Sequence, residues 1–140
     1  MGDKINLALI GAGHWGKNLA RVFHELGILK TICDSSKEIL LNNAAKYPEI
    51  TTTSSFSEVL ASPDINAIAI AAPAEQHYSI AKKSLLADKH VFVEKPLAMT
   101  AQEGEELVQI AEKHGKILFV GHILQYHSAV KTVKKMIQEG

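Results

Sequence analysis

Three glycines fall in one window, Gly11-Ala12-Gly13-His14-Trp15-Gly16, directly after an apolar run. Glycines at this spacing between a strand and a helix make a turn that can seat two linked phosphates. Gly11 permits the tight turn, Gly13 lets the backbone approach a pyrophosphate, and Gly16 lets the helix pack against the strand. The anion would rest on the free N–H groups and positive end of the helix that begins near His14. A carboxylate follows at Asp34, 21 residues after Gly13. That is close to the roughly 20-residue spacing of an acid that accepts from ribose hydroxyls; the other reading is that Asp34 merely starts the next helix. As a ribose acceptor it favours NAD over NADP, because a 2′-phosphate would meet a like charge and no arginine follows to receive it. Ser35 and Ser36 leave some tolerance for NADP.

A second set of residues could carry the reaction itself. Lys95 lies between an apolar strand and a proline, with Glu94 beside it. A lysine partly withdrawn from water gives up its proton more readily, which suits proton exchange with a substrate hydroxyl. Otherwise it is a surface lysine in a loop. His77, on the first turn of its helix, either approaches the cofactor or is solvated, and Trp15 either packs or offers a stacking platform. His14, His77, His122 and His127 show no compact metal spacing supported by other ligands, so no metal site is expected. Cys33, the single cysteine, lies in an apolar run and reads as a buried, inert thiol.

The elements that must position these groups follow from periodicity. Residues 4–10 carry Ile5, Leu7, Leu9 and Ile10 and read as a strand. Trp15, Leu19, Val22, Phe23 and Leu26 recur at helical spacing and predict one apolar helix face. Residues 29–33 form a second strand, Ser35-Ser36 can cap a helix with Ile39, Leu40, Ala44 and Ala45 inward, and residues 50–53 are β-prone. Ser55-x-x-Glu58 and Thr100-x-x-Glu103 read as capping boxes. Residues 67–72, AIAIAA, are apolar throughout and suit a central parallel strand. A helix over 75–87 packs through Ile80, Ala81, Leu85 and Leu86. Further strands fall at 91–93 and 117–120, Gly115 closes the helix between them, and Val130, Val133 and Ile137 mark a last helix face. Alternating strands and helices predict an α/β doubly wound parallel sheet of six strands in the order 3-2-1-4-5-6, with ligands at the strands' carboxyl ends. Those ends carry Gly11 to Gly16, Asp34, Ala72-Pro73, Glu94-Lys95-Pro96 and Gly121-His122.

Composition bounds the function. At 140 residues, 46% hydrophobic and 21% charged, the chain reads as one globular domain over residues 1–140. Fifteen basic and fifteen acidic residues cancel, which gives no electrostatic footprint for nucleic acid or an anionic membrane. The apolar runs are too short to span a membrane, and MGDKINLALIG lacks a secretory pattern, so the expected setting is the cytoplasm.

Several segments together resemble the Gfo/Idh/MocA oxidoreductases: IGAGHWGKN at 10–18, CDSS at 33–36, AAPAEQHYSIA at 71–81, HVFVEKPLAMT at 90–100 and VGHILQYHSAV at 120–130. The resemblance implies hydride transfer between a nicotinamide cofactor and a sugar or cyclitol hydroxyl or ketone. A nucleotide-linked amino sugar is the narrower candidate. It implies that Gly11, Gly13, His14, Trp15 and Gly16 line the pyrophosphate and that Asp34 holds the adenosine ribose with Ser35 beside it. It further implies that Ala72, Pro73 and His77 border the nicotinamide ribose, that Glu94 contacts cofactor hydroxyls, and that Lys95 is catalytic, reaching the substrate oxygen from beside a cis proline bond. Asp88 stands where the family often has glycine, and Gln125 and Ser128 replace a commoner arginine and proline. The family's second, substrate-binding domain is expected to be absent here, leaving apolar surface open to homo-oligomer contacts. The alternative from another class is a non-catalytic NAD-binding or interaction module.

Overall fold

The computed structural model describes residues 4–140; the sequence reading of the N-terminus as leader-free begins on residues that lie outside them. Six parallel strands, β1 (Leu7–Ile10), β2 (Leu29–Cys33), β3 (Thr51–Thr53), β4 (Ala67–Ile70), β5 (His90–Val93) and β6 (Leu118–Val120), form one sheet. Their order is β3-β2-β1-β4-β5-β6, as the alternation of elements predicts. The connecting helices are α1 (Gly16–Glu25), α2 (Lys37–Lys46), α3 (Phe56–Ala61), α4 (Ala74–Leu86) and α5 (Ala101–His114). A 3-10 turn, Ile123–Tyr126, leads from β6 to α6 (Ser128–Glu139). No helix among the described residues is long and apolar enough to cross a membrane.

Residue size sorts the two faces of the central strands. In β4, Ala67 and Ala69 join Leu7, Leu9, Ala20, Leu29 and Ile32 in one core, whereas Ile68 and Ile70 join Ala8, Ile10, Ile80, Leu85, Val91, Val93 and Leu107 in the other. Small alanines leave room for the glycine- and alanine-lined side of α1, while the isoleucines fill the space beneath α4 and α5. A T-shaped Phe23–Phe92 pair (5.9 Å) and a stacked Phe92–Phe119 pair (5.6 Å) continue the α1 side outward to the sheet edge.

Register makes the carboxyl ends level. Thr53, Cys33, Ile10, Ile70, Val93 and Val120 are successive Cα partners in one line across all six strands. The chain leaves the sheet along this single line, so the residues that follow it are gathered on one rim.

Local signals act where expected, with some differences. Thr100 and Glu103 form a complete capping box, and Gly115 closes α5 at φ 61°. Ser36 caps α2 by accepting from Ile39 N–H. At α3 only half of the box forms: Ser55 accepts from Glu58 N–H, but the Glu58 carboxylate takes the Thr53 hydroxyl instead of the cap backbone. The first strand begins at Leu7, and Ile5 is exposed. The packed side of α1 is Gly16 and Ala20 with Leu19 and Phe23; Trp15, Val22 and Leu26 face outward. Close approach to the sheet requires small residues on that side, so the helix turns its bulkier stripe partly to solvent. Leu86 on α4 and Ala45 on α2 are likewise exposed. Helix α6 forms, but Val130, Val133 and Ile137 are bare.

Candidate functional site

The glycine turn shows why each glycine stands where it does. Gly11 has φ +85°, and a Cβ there would lie 2.8 Å from Ala72 N. A Cβ on Gly16 would lie 2.0 Å from the Gly11 carbonyl oxygen, so the first turn of α1 sits directly on the loop. Gly13 differs: a Cβ there would touch only Ile39 Cδ1, at 4.0 Å, and would otherwise project into open space. Nothing in the protein's own packing demands glycine at 13, which fits a backbone kept bare for close approach by a ligand. Intrahelical bonding starts with Lys17 N–H to Gly13 O (3.1 Å) and Asn18 N–H to Trp15 O (2.9 Å). Among the described residues the N–H groups of Gly13, His14 and Trp15 donate to no acceptor and remain available to an anion.

Asp34 follows the last residue of β2 and is half-buried beside this turn. Its Oδ2 accepts from Ala12 N–H at 2.8 Å and its Oδ1 from Ser36 N–H at 2.9 Å. The carboxylate therefore ties down the start of α2, one of the two readings of Asp34, and in addition braces the glycine turn. Each oxygen keeps a further lone pair for a hydroxyl donor. Gly11, Gly13, His14, Trp15, Asp34, Ser35, Ala72 and Pro73 line one cleft of about 590 Å³. Residues that sequence reasoning missed complete it: Ser54, Phe56, Gln76 and Ile80. Ser54 was within reach of the carboxyl-end rule, since it follows Thr53 on the same register line; Phe56, Gln76 and Ile80 carry no local signal for this role. Cys33 lies at the cleft's floor. Burial, helped by the negative charges of Asp34 and Glu58, pushes its thiol up to about 11, which suits an inert side chain.

A second cleft of about 330 Å³ adjoins the first through Trp15, Ala71 and Ala72. Its other walls are Ala74, His77, Glu94, Lys95, Gly121 and Ile123. The Glu94 carboxylate lies flat on the Gly121 α-carbon, where a Cβ would sit 3.0 Å from Oε1 and 3.2 Å from Oε2. Lys95 is exposed at the cleft mouth rather than partly withdrawn from water, and its bond to Pro96 is cis. It also borders a smaller cleft of about 290 Å³ with His122, Ile123, Leu124 and Gln125. His77 is buried, with Nδ1 2.6 Å from Pro96 O and Nε2 2.8 Å from Ala72 O, so its ring borders the cleft while both nitrogens face protein carbonyls. Trp15 stays exposed at the junction of the two clefts, where it is free to stack. Asp88 has φ 57°, the left-handed conformation that glycine adopts without strain.

Together the two clefts form a rim groove with backbone donors in the middle, an acid at one end, and a carboxylate and a lysine at the other. A dinucleotide has the matching order of groups: ribose hydroxyls, a pyrophosphate, then a second ribose and a reactive ring.

Comparison with known proteins places the chain in a family. Residues 5–122 match the model of an oxidoreductase family with an NAD-binding Rossmann fold. The chain is 33% identical over its full length to YdgJ, an uncharacterised oxidoreductase of Escherichia coli, and covers 40% of it. It is 30% identical to the scyllo-inositol 2-dehydrogenase (NADP+) IolW of Bacillus subtilis, with 99% of this chain and 38% of that protein aligned. Among solved structures, the WlbA dehydrogenase of Bordetella pertussis, in complex with NADH and UDP-GlcNAcA, superposes with a TM-score of 0.90 at 30% identity, covering 99% of this chain and 42% of that one. The chain thus spans about two-fifths of the length of the relatives it matches. By sequence, and in keeping with its sheet order, it belongs to the Gfo/Idh/MocA family of oxidoreductases, of which it carries the NAD-binding Rossmann domain.

Proposed function

We propose that this chain is the cofactor-binding part of a dehydrogenase that uses NAD in preference to NADP and acts on a sugar or cyclitol hydroxyl, or reduces the matching ketone. The observation that carries this reading is the placement of Glu94 and Lys95 in a cleft continuous with the glycine turn and Asp34. When bound, the nicotinamide supplies or accepts the hydride. The protein's own groups do the rest. Gly13 to Trp15 offer N–H groups to the pyrophosphate, Asp34 accepts from the adenosine ribose, and Glu94 accepts from hydroxyls at the other end. Lys95, at the junction with the smaller cleft, exchanges a proton with the substrate oxygen.

A sugar or cyclitol substrate is supported by two relatives, one named for scyllo-inositol and one solved with UDP-GlcNAcA. The wall beside Lys95 offers His122 and Gln125, hydrogen-bonding groups suited to hydroxyls. The preference for NAD rests on Asp34, whose carboxylate would repel a 2′-phosphate. IolW, named for NADP+, shows that relatives differ on this point. Competitive fluorescence titration of the chain with NADH and NADPH tests it. NADH should bind at least about tenfold more tightly, the size expected for one charged hydrogen-bonded group. Equal affinity, or tighter NADPH, would remove Asp34 from the role of ribose acceptor.

A further inference from the structure

Carbonyl oxygens from two separate loops converge on one buried ring. His77 projects from the first turn of α4, its Nε2 2.8 Å from Ala72 O after β4 and its Nδ1 2.6 Å from Pro96 O after β5. Only 2% of the residue is accessible, so the ring itself is shielded from solvent. Carbonyl oxygens only accept, so a tie to both loops requires both ring nitrogens to donate, and a ring with a single N–H would hold one loop only.

The Lys95 side of this tie has few other hydrogen bonds, its remaining anchor being Leu97, which packs against the core. Glu94 N–H is bonded to Ile70 O, and the next ordered donors are Met99 N–H and Thr100 N–H, both bound to Glu103 Oε2. Among the described residues, the bond from Pro96 O to His77 is the one hydrogen bond made by any polar atom of residues 95–98. On the other side, Ala72 separates the two clefts and lines both. The charged groups Glu94 and Lys95 share the cleft with the ring. On the neighbouring turns of α4, the Tyr78–Lys82 pair is engaged with Glu106 of α5.

We infer that His77 is a positioning residue that ties the cofactor-side loop after β4 to the Lys95–Pro96 turn after β5, holding the nicotinamide seat and the proton-exchanging lysine in one register. The catalytic meaning of the tie rests on the proposed function; the tie itself does not. It also assigns the buried histidine a task that direct contact with cofactor would not require, since both of its polar atoms are spent on protein.

Asparagine and glutamine separate the two arms, because the Asn amide nitrogen falls near the place of Nδ1 and that of Gln near Nε2. Backbone 15N order parameters of the 140-residue chain, without cofactor, read the result. In His77→Ala both segments, 71–74 and 95–98, should fall from about 0.85 to below about 0.6, while β1 and β2 stay rigid. His77→Asn should loosen 71–74 and spare 95–98, and His77→Gln should do the reverse. Should alanine fail to fold, the two amide variants carry the test alone. Order parameters unchanged in a folded variant, or the same loosening in the Asn and Gln variants, would overturn the assignment. An NADH titration of the parent chain is run alongside. If the parent does not bind NADH, the proposed function fails, while the mirror pattern of loosening still decides the tie.

Discussion

At the level of single residues, the three glycines of the turn do different work, and substitutions should separate them. Gly11→Ala places a Cβ against backbone at a positive φ and should cost about 2–4 kcal/mol of stability, read as a lower midpoint in urea. Gly13→Ala has room in the protein and should leave that midpoint nearly unchanged, yet weaken NADH about tenfold because the methyl group stands where the phosphates approach. Equal loss of stability in both variants would mean that the turn serves only the fold. Cys33 offers a pH test. Its thiol is raised to about 11 mainly by burial, so the native chain should react with iodoacetamide at about pH 8 at least a hundredfold more slowly than the denatured chain. The sign follows from linkage: the unfolded thiol ionises first as pH rises. The stability tied to the neutral thiol is therefore intact below the ordinary cysteine range and declines as pH climbs toward 11. Rapid native alkylation at neutral pH would contradict the burial argument.

Among the elements, helix ends give the clearest test of local signals. Thr100 and Glu103 satisfy each other's backbone groups, and Thr100→Ala should cost about 1 kcal/mol in chemical unfolding. Ser55→Ala should cost less, since only one half of that box is made. A larger loss at Ser55 would show that its bond, and not the reciprocal pair, matters. These two boxes look alike in sequence. What separates them is Thr53, whose hydroxyl captures Glu58, a contact set by where β3 ends and invisible in a four-residue pattern. The same limit applies to α1. Its apolar spacing is plain in the sequence, but the face that packs was chosen by the need for small residues against the sheet, so Ala20 is buried and Leu26 is not. In β4 the alternation of alanine and isoleucine sorts the two faces, a distinction that reading the run as uniformly apolar does not make.

For the molecule as a whole, strand order was legible because it follows from chain alternation, and the candidate site was placed by the carboxyl-end rule. The gathering of Ser54, Asp34, the glycine turn, Ala71-Ala72, Glu94 and Gly121 on one rim depends on level register, which pairs strands that no local pattern relates. The exposure of Lys95 was hidden for a related reason: burial depends on what lies across a cleft. The chain beyond β6 carries a different feature. Ile123, Leu124, Tyr126, Val130, Val133, Met136 and Ile137 are all exposed along the 3-10 turn and α6. Apolar surface of this kind favours association, so light scattering should show apparent mass rising with concentration. Val133→Lys with Ile137→Lys should abolish that rise. A monomer at high concentration in the parent chain would contradict the prediction.

The central claim is that one dinucleotide spans the rim from Asp34 to Lys95. Titration of the 15N-labelled chain with NADH, followed by amide chemical shifts, tests it directly. Gly13, His14 and Trp15, Asp34 and Ser35, and Glu94, Lys95 and Gly121 should all shift along a single saturation curve, with the outward face of α6 unmoved. No shifts at about millimolar NADH, or shifts confined to the glycine turn with residues 94, 95 and 121 silent, would contradict it.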